Sequence, residues 1–162
     1  MKTTLFIAFF ALISSLQISQ KGLNLIKEFE GCRLEAYKCP AGVWTIGYGT
    51  TDSDYSITKT KIRAGLKISK QKAETWLRQS VNKKYCPKVN KYNNKYHWTQ
   101  NEFDAMVSFT YNTGKIDELT ARGKRTKQEI ATKMLEYNKY KNEVVKELEK
   151  RRLAEQKLFL TK

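Results

Sequence analysis

Residues 33–58, RLEAYKCPAGVWTIGYGTTDSDYSIT, restrict the fold more than any other segment of this sequence. They mix aromatic and β-branched residues with Pro40-Ala41-Gly42 and repeated glycines, a pattern typical of a small antiparallel sheet with tight turns. The segments on both sides have helical spacing instead. A chain of 162 residues with 40% hydrophobic residues can bury one core. We therefore predict one α+β domain in which a small sheet interrupts a mainly helical chain.

A short amphipathic helix precedes this sheet in ISQKGLNLIKEFEG. Ser19 is suited to cap its start, and Gly31 is suited to end it. The helix would carry Glu30 at its C-terminal edge. Glu30 would therefore lie where this apolar helix ends and the sheet begins.

The rest of the chain has helical patterns. One helix is predicted over about 70–92, and Thr-x-x-Glu capping boxes begin two more at Thr99 and Thr126. A final helix is predicted over about 143–159. The domain then has two lobes: a sheet lobe over about 30–68 and a helical lobe over about 96–162, joined by the helix near 70–92.

The N-terminal segment 1–17, MKTTLFIAFFALISSLQ, has a single lysine, an apolar stretch and then small and polar residues. This is the layout of an export signal, with a weak cleavage position after Gln17. An uncleaved signal-anchor and a buried N-terminal helix are the alternatives. We expect the folded domain at 18–162 and an exported protein, secreted or periplasmic, with transient tethering to the membrane if the segment is retained.

The charge balance is strongly basic, with 31 Lys and Arg against 16 Asp and Glu, a formal net charge of +15. Such a charge attracts polyanions, so acidic cell-wall polymers and anionic membrane surfaces are candidate partners. A merely well-solvated surface is the simpler interpretation. No helix-turn-helix, zinc-finger spacing or base-stacking motif is present, so we expect no nucleic acid partner.

Few residues suggest chemistry by themselves. His97 is the only histidine, and the sequence suggests no catalytic triad, metal cluster or phosphate-binding loop. Glu30 remains, because a carboxyl at the margin of an apolar helix and at a helix C-terminus is suited to general-acid work. By its sequence context alone, an ordinary surface glutamate is the commoner explanation.

The segment EGCRLEAYKCPAGVWTIGYGT at 30–50 resembles the active-site segment of the phage-type lysozymes, glycoside hydrolase family 24. The family pattern is a Glu-Gly pair, a tyrosine, an acidic residue about nine positions after the glutamate, and a Thr-Ile-Gly run. The resemblance continues in QNEFDAMVSFTYNTG and LEKRRLAEQKLF, in the same order. It covers the chain from about Ile18 onward and implies the two-lobed lysozyme-like fold.

The resemblance assigns roles to three residues in the sheet lobe. Glu30 falls on the general acid of the family, Thr45 on a threonine that helps to hold the attacking water, and Cys39 on the usual aspartate. The implied reaction is hydrolysis of the β-1,4 bond between N-acetylmuramic acid and N-acetylglucosamine in peptidoglycan, with inversion at the sugar. No cofactor is implied, and we expect a monomer.

In the helical lobe, the resemblance places Tyr111 and Asn112 on a pair that lines the cleft and faces the glycan. Arg151 falls on an arginine that pairs with the catalytic glutamate across the lobes. Two functions of other classes stay open: a non-catalytic wall-binding protein, and a cationic membrane-active protein that uses its last helix.

Two departures from the family pattern concern the sheet lobe. Thr50 stands where many members have a histidine, which we interpret as a change in local structural support. Cys39 replaces a carboxylate, and a thiolate there is an anion of the same sign. A Cys32–Cys39 disulfide would remove that anion and make a dormant form; three free thiols and a Cys32–Cys86 bridge are the alternatives.

Overall fold

A computed structural model describes residues 15–162, so residues 1–14 of the predicted export signal lie outside the described residues. The described part is mainly helical and contains two small antiparallel sheets, which confirms the predicted α+β class. The helices are α1 (Gln20–Glu30), α2 (Tyr55–Thr58), α3 (Lys70–Lys84), α4 (Cys86–Asn90), α5 (Asn93–Tyr96), α6 (Gln100–Thr113), α7 (Ile116–Leu119), α8 (Lys127–Met134) and α9 (Lys146–Leu160). The strands are β1 (Arg33–Lys38), β2 (Trp44–Gly47), β3 (Lys139–Tyr140) and β4 (Glu143–Val144).

Helix α1 begins and ends where its sequence predicted. The Ser19 hydroxyl accepts hydrogen bonds from the first-turn amides of Lys21 and Gly22, and the chain leaves the helix at Gly31 with a φ of 65°. Ser19 is also bonded to the Asp104 carboxylate of α6 through its backbone amide and its hydroxyl. This anchorage fixes the direction in which α1 delivers Glu30.

Helix α6 is the centre of the core. Its residues from Phe103 to Thr110 are all buried, and it packs against both α1 and α9. An added Cβ at Gly22 would lie 2.7 Å from Asp104 Cγ, so α1 and α6 approach closely at this glycine. Because α6 contacts both neighbours, the C-terminal end of α1 is brought near the first half of α9.

The main sheet is the hairpin of β1 and β2. Cys39 and Val43 flank the three-residue loop Pro40-Ala41-Gly42; the Cys39 amide donates to Val43 O, and the Gly42 amide donates to Cys39 O. Gly42 has a φ of 78°, which suits glycine in such a loop. The tight turn predicted from these residues is confirmed.

Two predicted helix boundaries were wrong. The connecting helix ends at Lys84 rather than near 92, since Pro87 has no N–H for the helical ladder and its ring clashes with the carbonyl four residues earlier. A separate short helix, α4, begins at Cys86. The final helix begins at Lys146 rather than 143 because residues 139–144 form the β3–β4 hairpin, turned by two left-handed residues, Lys141 and Asn142.

Contacts with the packed domain begin before the predicted boundary at residue 18. The Leu16 amide donates to Asn90 Oδ1, and Leu16 O accepts from Asn90 Nδ2, so residue 16 is already bound to α4. The predicted boundary between residues 17 and 18 therefore falls inside the packed structure. Within residues 15–162, no helix is both long enough and apolar enough to cross a membrane.

Candidate active site

Glu30 and Arg151 form an ion pair between the end of α1 and the first half of α9. Arg151 Nη1 lies 2.6 Å from Glu30 Oε1, and their side chains are 4% and 25% exposed, respectively. The Arg151 guanidinium also lies 5.6 Å from the centre of the Phe29 ring. The structure thus brings together the two residues that the family resemblance pairs across the lobes, and it leaves the Glu30 carboxyl partly accessible.

Behind this pair lies a second, fully buried carboxylate, Glu155. Its Oε1 is 3.1 Å from Arg151 Nε and accepts a 2.7 Å hydrogen bond from the Ser108 hydroxyl. Burial raises the pKa of Glu155, and the adjacent Arg152 and Arg151 guanidinium groups oppose that rise. Glu155 therefore holds Arg151 from the side opposite Glu30.

Arg152 completes this network. Its Nε lies 3.0 Å from Glu155 Oε2 without the alignment of a hydrogen bond, and its Nη2 donates to Asn112 Oδ1 at 2.8 Å. Neither Arg152 nor Glu155 was selected from the sequence. The Arg-Arg-x-x-Glu spacing was the available signal, because residues three and four apart share a helix face.

Cys39 and Thr45 meet at the turn of the β1–β2 hairpin. Thr45 is paired with Tyr37, and the two-residue period of a strand places Cys39 on the same face as Tyr37. Hydrogen bonding to the Val43 and Ala41 backbones, and then to the Thr45 hydroxyl, lowers the pKa of the Cys39 thiol. This environment makes the thiolate easier to form than it is in an unperturbed cysteine.

The predicted Cys32–Cys39 disulfide is absent from this structure, in which all three cysteines are free. Strand β1 lies between the two residues, and seven extended steps separate their Cα atoms by on the order of 20 Å, against at most ~7 Å for a disulfide. The bond therefore requires β1 to come apart. Cys86 is buried, its thiol donates to Asn82 Oδ1 at 3.3 Å, and burial raises its pKa to about 11.

Tyr111 and Asn112 have different environments. The Tyr111 hydroxyl donates to Tyr48 O at 2.8 Å, and its ring centre lies 4.9 Å from that of Tyr85. Burial raises the pKa of Tyr111. Its hydroxyl thus links the sheet region to α6 and is not turned to solvent, whereas Asn112 is exposed.

Two further residues discussed from the sequence have structural positions. Thr50 is buried and exchanges two backbone hydrogen bonds of 2.9 Å with Ile46, so it supports the Gly-Tyr-Gly turn. His97 is the left-handed residue that ends α5, with a φ of 47°. Among residues 15–162, no group of three or more His, Cys, Asp and Glu side chains could hold a metal ion.

Comparison with known proteins gives one family. The family model described as Phage lysozyme matches residues 27–155. An endolysin of Lactococcus phage c2 is 38% identical over 146 residues, which cover 89% of this chain and 60% of that protein; the chain thus spans less than two thirds of that relative. A SAR-endolysin of Haemophilus phage HP1 is 32% identical over 161 residues, covering 89% and 81%. The solved muramidase domain of SpmX from Asticaccaulis excentricus has a TM-score of 0.69 and 34% identity, covering 90% and 99%.

Proposed function

The chain belongs to the phage lysozyme family, and from this premise we propose that it hydrolyses the β-1,4 bond between N-acetylmuramic acid and N-acetylglucosamine in bacterial peptidoglycan. The observation that carries the proposal is the ion pair of Glu30 with Arg151 at 2.6 Å, in which the acid is partly accessible and the arginine is buried.

Glu30 acts as the general acid. Its proton goes to the glycosidic oxygen of N-acetylglucosamine as the bond from that oxygen to C1 of N-acetylmuramic acid breaks. The Arg151 guanidinium stabilises the carboxylate that remains after the transfer. Because Glu155 and Ser108 O hold Arg151 from behind, this positive charge is in place before the reaction begins.

Cys39 and Thr45 serve the attacking side. The Cys39 thiolate supplies a negative charge that stabilises the oxocarbenium-like carbon, as the usual carboxylate would. The Thr45 hydroxyl lies 3.1 Å from Val43 O and beside the Cys39 thiol, and with its single proton given to either neighbour its oxygen can accept a hydrogen bond from water. Such a water attacks C1 and loses its proton to solvent, and the new sugar end is inverted.

The direct test is analysis of the products from purified sacculi. The released fragments should carry N-acetylmuramic acid as the new reducing end, detected by borohydride reduction and mass spectrometry. Glu30→Gln should fold like the parent and lose activity by orders of magnitude. Equal release by the parent and by Glu30→Gln would leave the non-catalytic wall-binding function as the better explanation.

The net charge of +15 supports a finer proposal about partners and location: an exported protein that is concentrated at walls rich in anionic polymers. Attraction between exposed charges is screened over ~8 Å at physiological ionic strength, so wall binding should weaken steeply as salt is added. Sedimentation of the protein with walls that retain or lack their anionic polymers checks this. Wall binding that is independent of both the salt concentration and the anionic polymer content would contradict this proposal.

A further inference from the structure

The Arg152 side chain is fully buried, and one of its bonds serves a residue outside the ion-pair network. Two of its contacts go to the Glu155 carboxylate, and its guanidinium lies 5.0 Å from the centre of the Phe109 ring. The remaining contact is the 2.8 Å hydrogen bond from Nη2 to the Oδ1 atom of exposed Asn112. Burying a cation is costly, and the Glu155 carboxylate compensates the charge of Arg152. The hydrogen bond to Asn112 is not needed for that compensation, and its effect is to orient the Asn112 side chain.

This bond fixes which end of the Asn112 amide faces outward. A guanidinium has donors only, so the group that faces it must be the carbonyl oxygen and cannot be the NH2 group. The amide is planar, and its two N–H donors must therefore point away from Arg152. An asparagine on an exposed surface would otherwise rotate and present either its donors or its acceptor.

Asn112 borders an open groove of about 400 Å³ between the end of α6 and the β3 hairpin. The other residues that line it are Thr113, Lys115, Glu136, Tyr137, Lys139 and Leu148. The Glu136 carboxylate is 2.5 Å from Lys133 Nζ, and among the described residues neither Lys115 nor Lys139 forms an ion pair. The groove is therefore rich in donors, with an apolar wall.

We propose that Arg152 is a positioning residue that locks the Asn112 amide with its NH2 group toward this groove, so that Asn112 recognises the carbonyl oxygen of an N-acetyl group on the glycan. The inference rests on the proposed function, because it takes an amino-sugar polymer as the ligand. An N-acetyl carbonyl is an acceptor only and matches these donors. The free ammonium of a de-N-acetylated amino sugar is a donor only and meets the amide donors, Lys115 and Lys139.

The test is a comparison of binding constants for tri-N-acetylglucosamine and triglucosamine, measured by calorimetry on the full chain. The parent should prefer the acetylated sugar. Asn112→Ala and Arg152→Met should each reduce this preference roughly tenfold, the loss of one hydrogen bond, and the double variant should lose no more than Asn112→Ala alone. Asn112→Asp should shift the preference toward triglucosamine, because a carboxylate attracts its ammonium groups.

Ser108→Ala is the matched control, since it also removes a buried hydrogen bond to Glu155 but does not touch Asn112. It should keep the preference of the parent. An Arg152→Met protein with full preference would overturn the proposal. The proposal would also be overturned if Arg152→Met lowered the preference by the same factor in the Asn112→Ala background as in the parent.

Nuclear magnetic resonance of the unmutated chain decides the matter if Arg152→Met does not fold. The Asn112 side-chain NH2 signals should have the rigidity of the backbone, and both should shift on saturation with tri-N-acetylglucosamine. A freely moving amide or unshifted signals would overturn the proposal. These measurements need no bond cleavage, so failure of the parent to release fragments from sacculi would refute the proposed function separately.

Discussion

The two sides of the candidate active site are built in opposite ways. On the acid side, Glu30 is held by Arg151, and Arg151 is held by Glu155, in a buried network that joins α1, α6 and α9. The hairpin side consists of Cys39 and Thr45. Cys39 lies on a hairpin turn, partly exposed, and its thiol is influenced by two backbone groups and one hydroxyl. The acid side depends on long-range packing, whereas the hairpin side depends on a few neighbouring residues. A substitution should therefore affect both folding and catalysis on the acid side, and mainly catalysis on the hairpin side.

The largest effect is expected from Arg151→Met. It leaves Glu155 with only one of its two arginine partners and Glu30 with none, and breaking a buried ion pair in this way costs about 3–5 kcal/mol. Urea unfolding should show that loss, together with near-complete loss of activity. Lys27→Met breaks the more exposed ion pair with Glu74 and should change stability by less than about 1 kcal/mol. Equal unfolding midpoints for the parent and Arg151→Met would contradict the description of a tightly coupled acid side.

Oxidation should act on the hairpin side. The hypothesis of a dormant form with a Cys32–Cys39 bond stays a prediction, and the structure adds that this form must lose strand β1. We expect oxidised protein to be inactive and dithiothreitol to restore it, with circular dichroism changing in parallel. Cys32→Ser should be active without reductant. Equal activity of oxidised, reduced and Cys32→Ser protein would remove the disulfide from the account.

A smaller loss is expected when the thiol alone is changed. Cys39→Ser removes the anion and should lower kcat by about a hundredfold, the scale of losing one electrostatic stabiliser. Cys39→Asp restores a carboxylate and should retain most activity. Both variants should unfold within about 0.5 kcal/mol of the parent, as is usual for surface substitutions away from the packed core. If these variants lost stability together with activity, the hairpin side would couple folding to catalysis as the acid side does.

The same substitution, Gly→Ala, gives the finest comparison of the two regions. At Gly22 the new methyl group collides with Asp104 at 2.7 Å, so overpacking should cost about 1–3 kcal/mol and disturb α1. At Gly42 there is open space, and only the left-handed φ of 78° opposes alanine, at about 1 kcal/mol. Thermal unfolding of both variants checks the order of the two costs.

The sequence predicted those features of the fold that depend on short stretches of chain. Ser19, Thr99 and Thr126 cap their helices because a cap needs only a hydroxyl and the next turn of backbone. The Pro40-Ala41-Gly42 turn was predictable for the same reason. The predicted helix over about 70–92 runs through Pro87, which has no N–H for the helical ladder, so the chain breaks at Tyr85 instead. The β3–β4 hairpin has no glycine signal in the sequence, because its turn uses Lys141 and Asn142.

The site was predictable only in part. Family resemblance supplied Glu30, Cys39, Thr45 and Arg151, since their motifs survive in the chain. Glu155 resembled a solvated helix residue, and only the packing of α9 against α6 shows that it is buried. The hydrogen bond that turns the Tyr111 hydroxyl toward Tyr48 joins residues 63 apart in sequence, so no local pattern could predict it.

The claim that most needs testing is that a thiolate at Cys39 replaces the usual carboxylate. The measurement is kcat/KM on soluble peptidoglycan fragments from pH 5 to 9 for the parent and for Cys39→Asp. The ratio of parent to variant removes the pH effects that the two proteins share. Because the aspartate is already ionised while the thiol, even with its lowered pKa, still titrates, the ratio should rise with pH and level off once the thiolate has formed. A ratio independent of pH would contradict the catalytic thiolate.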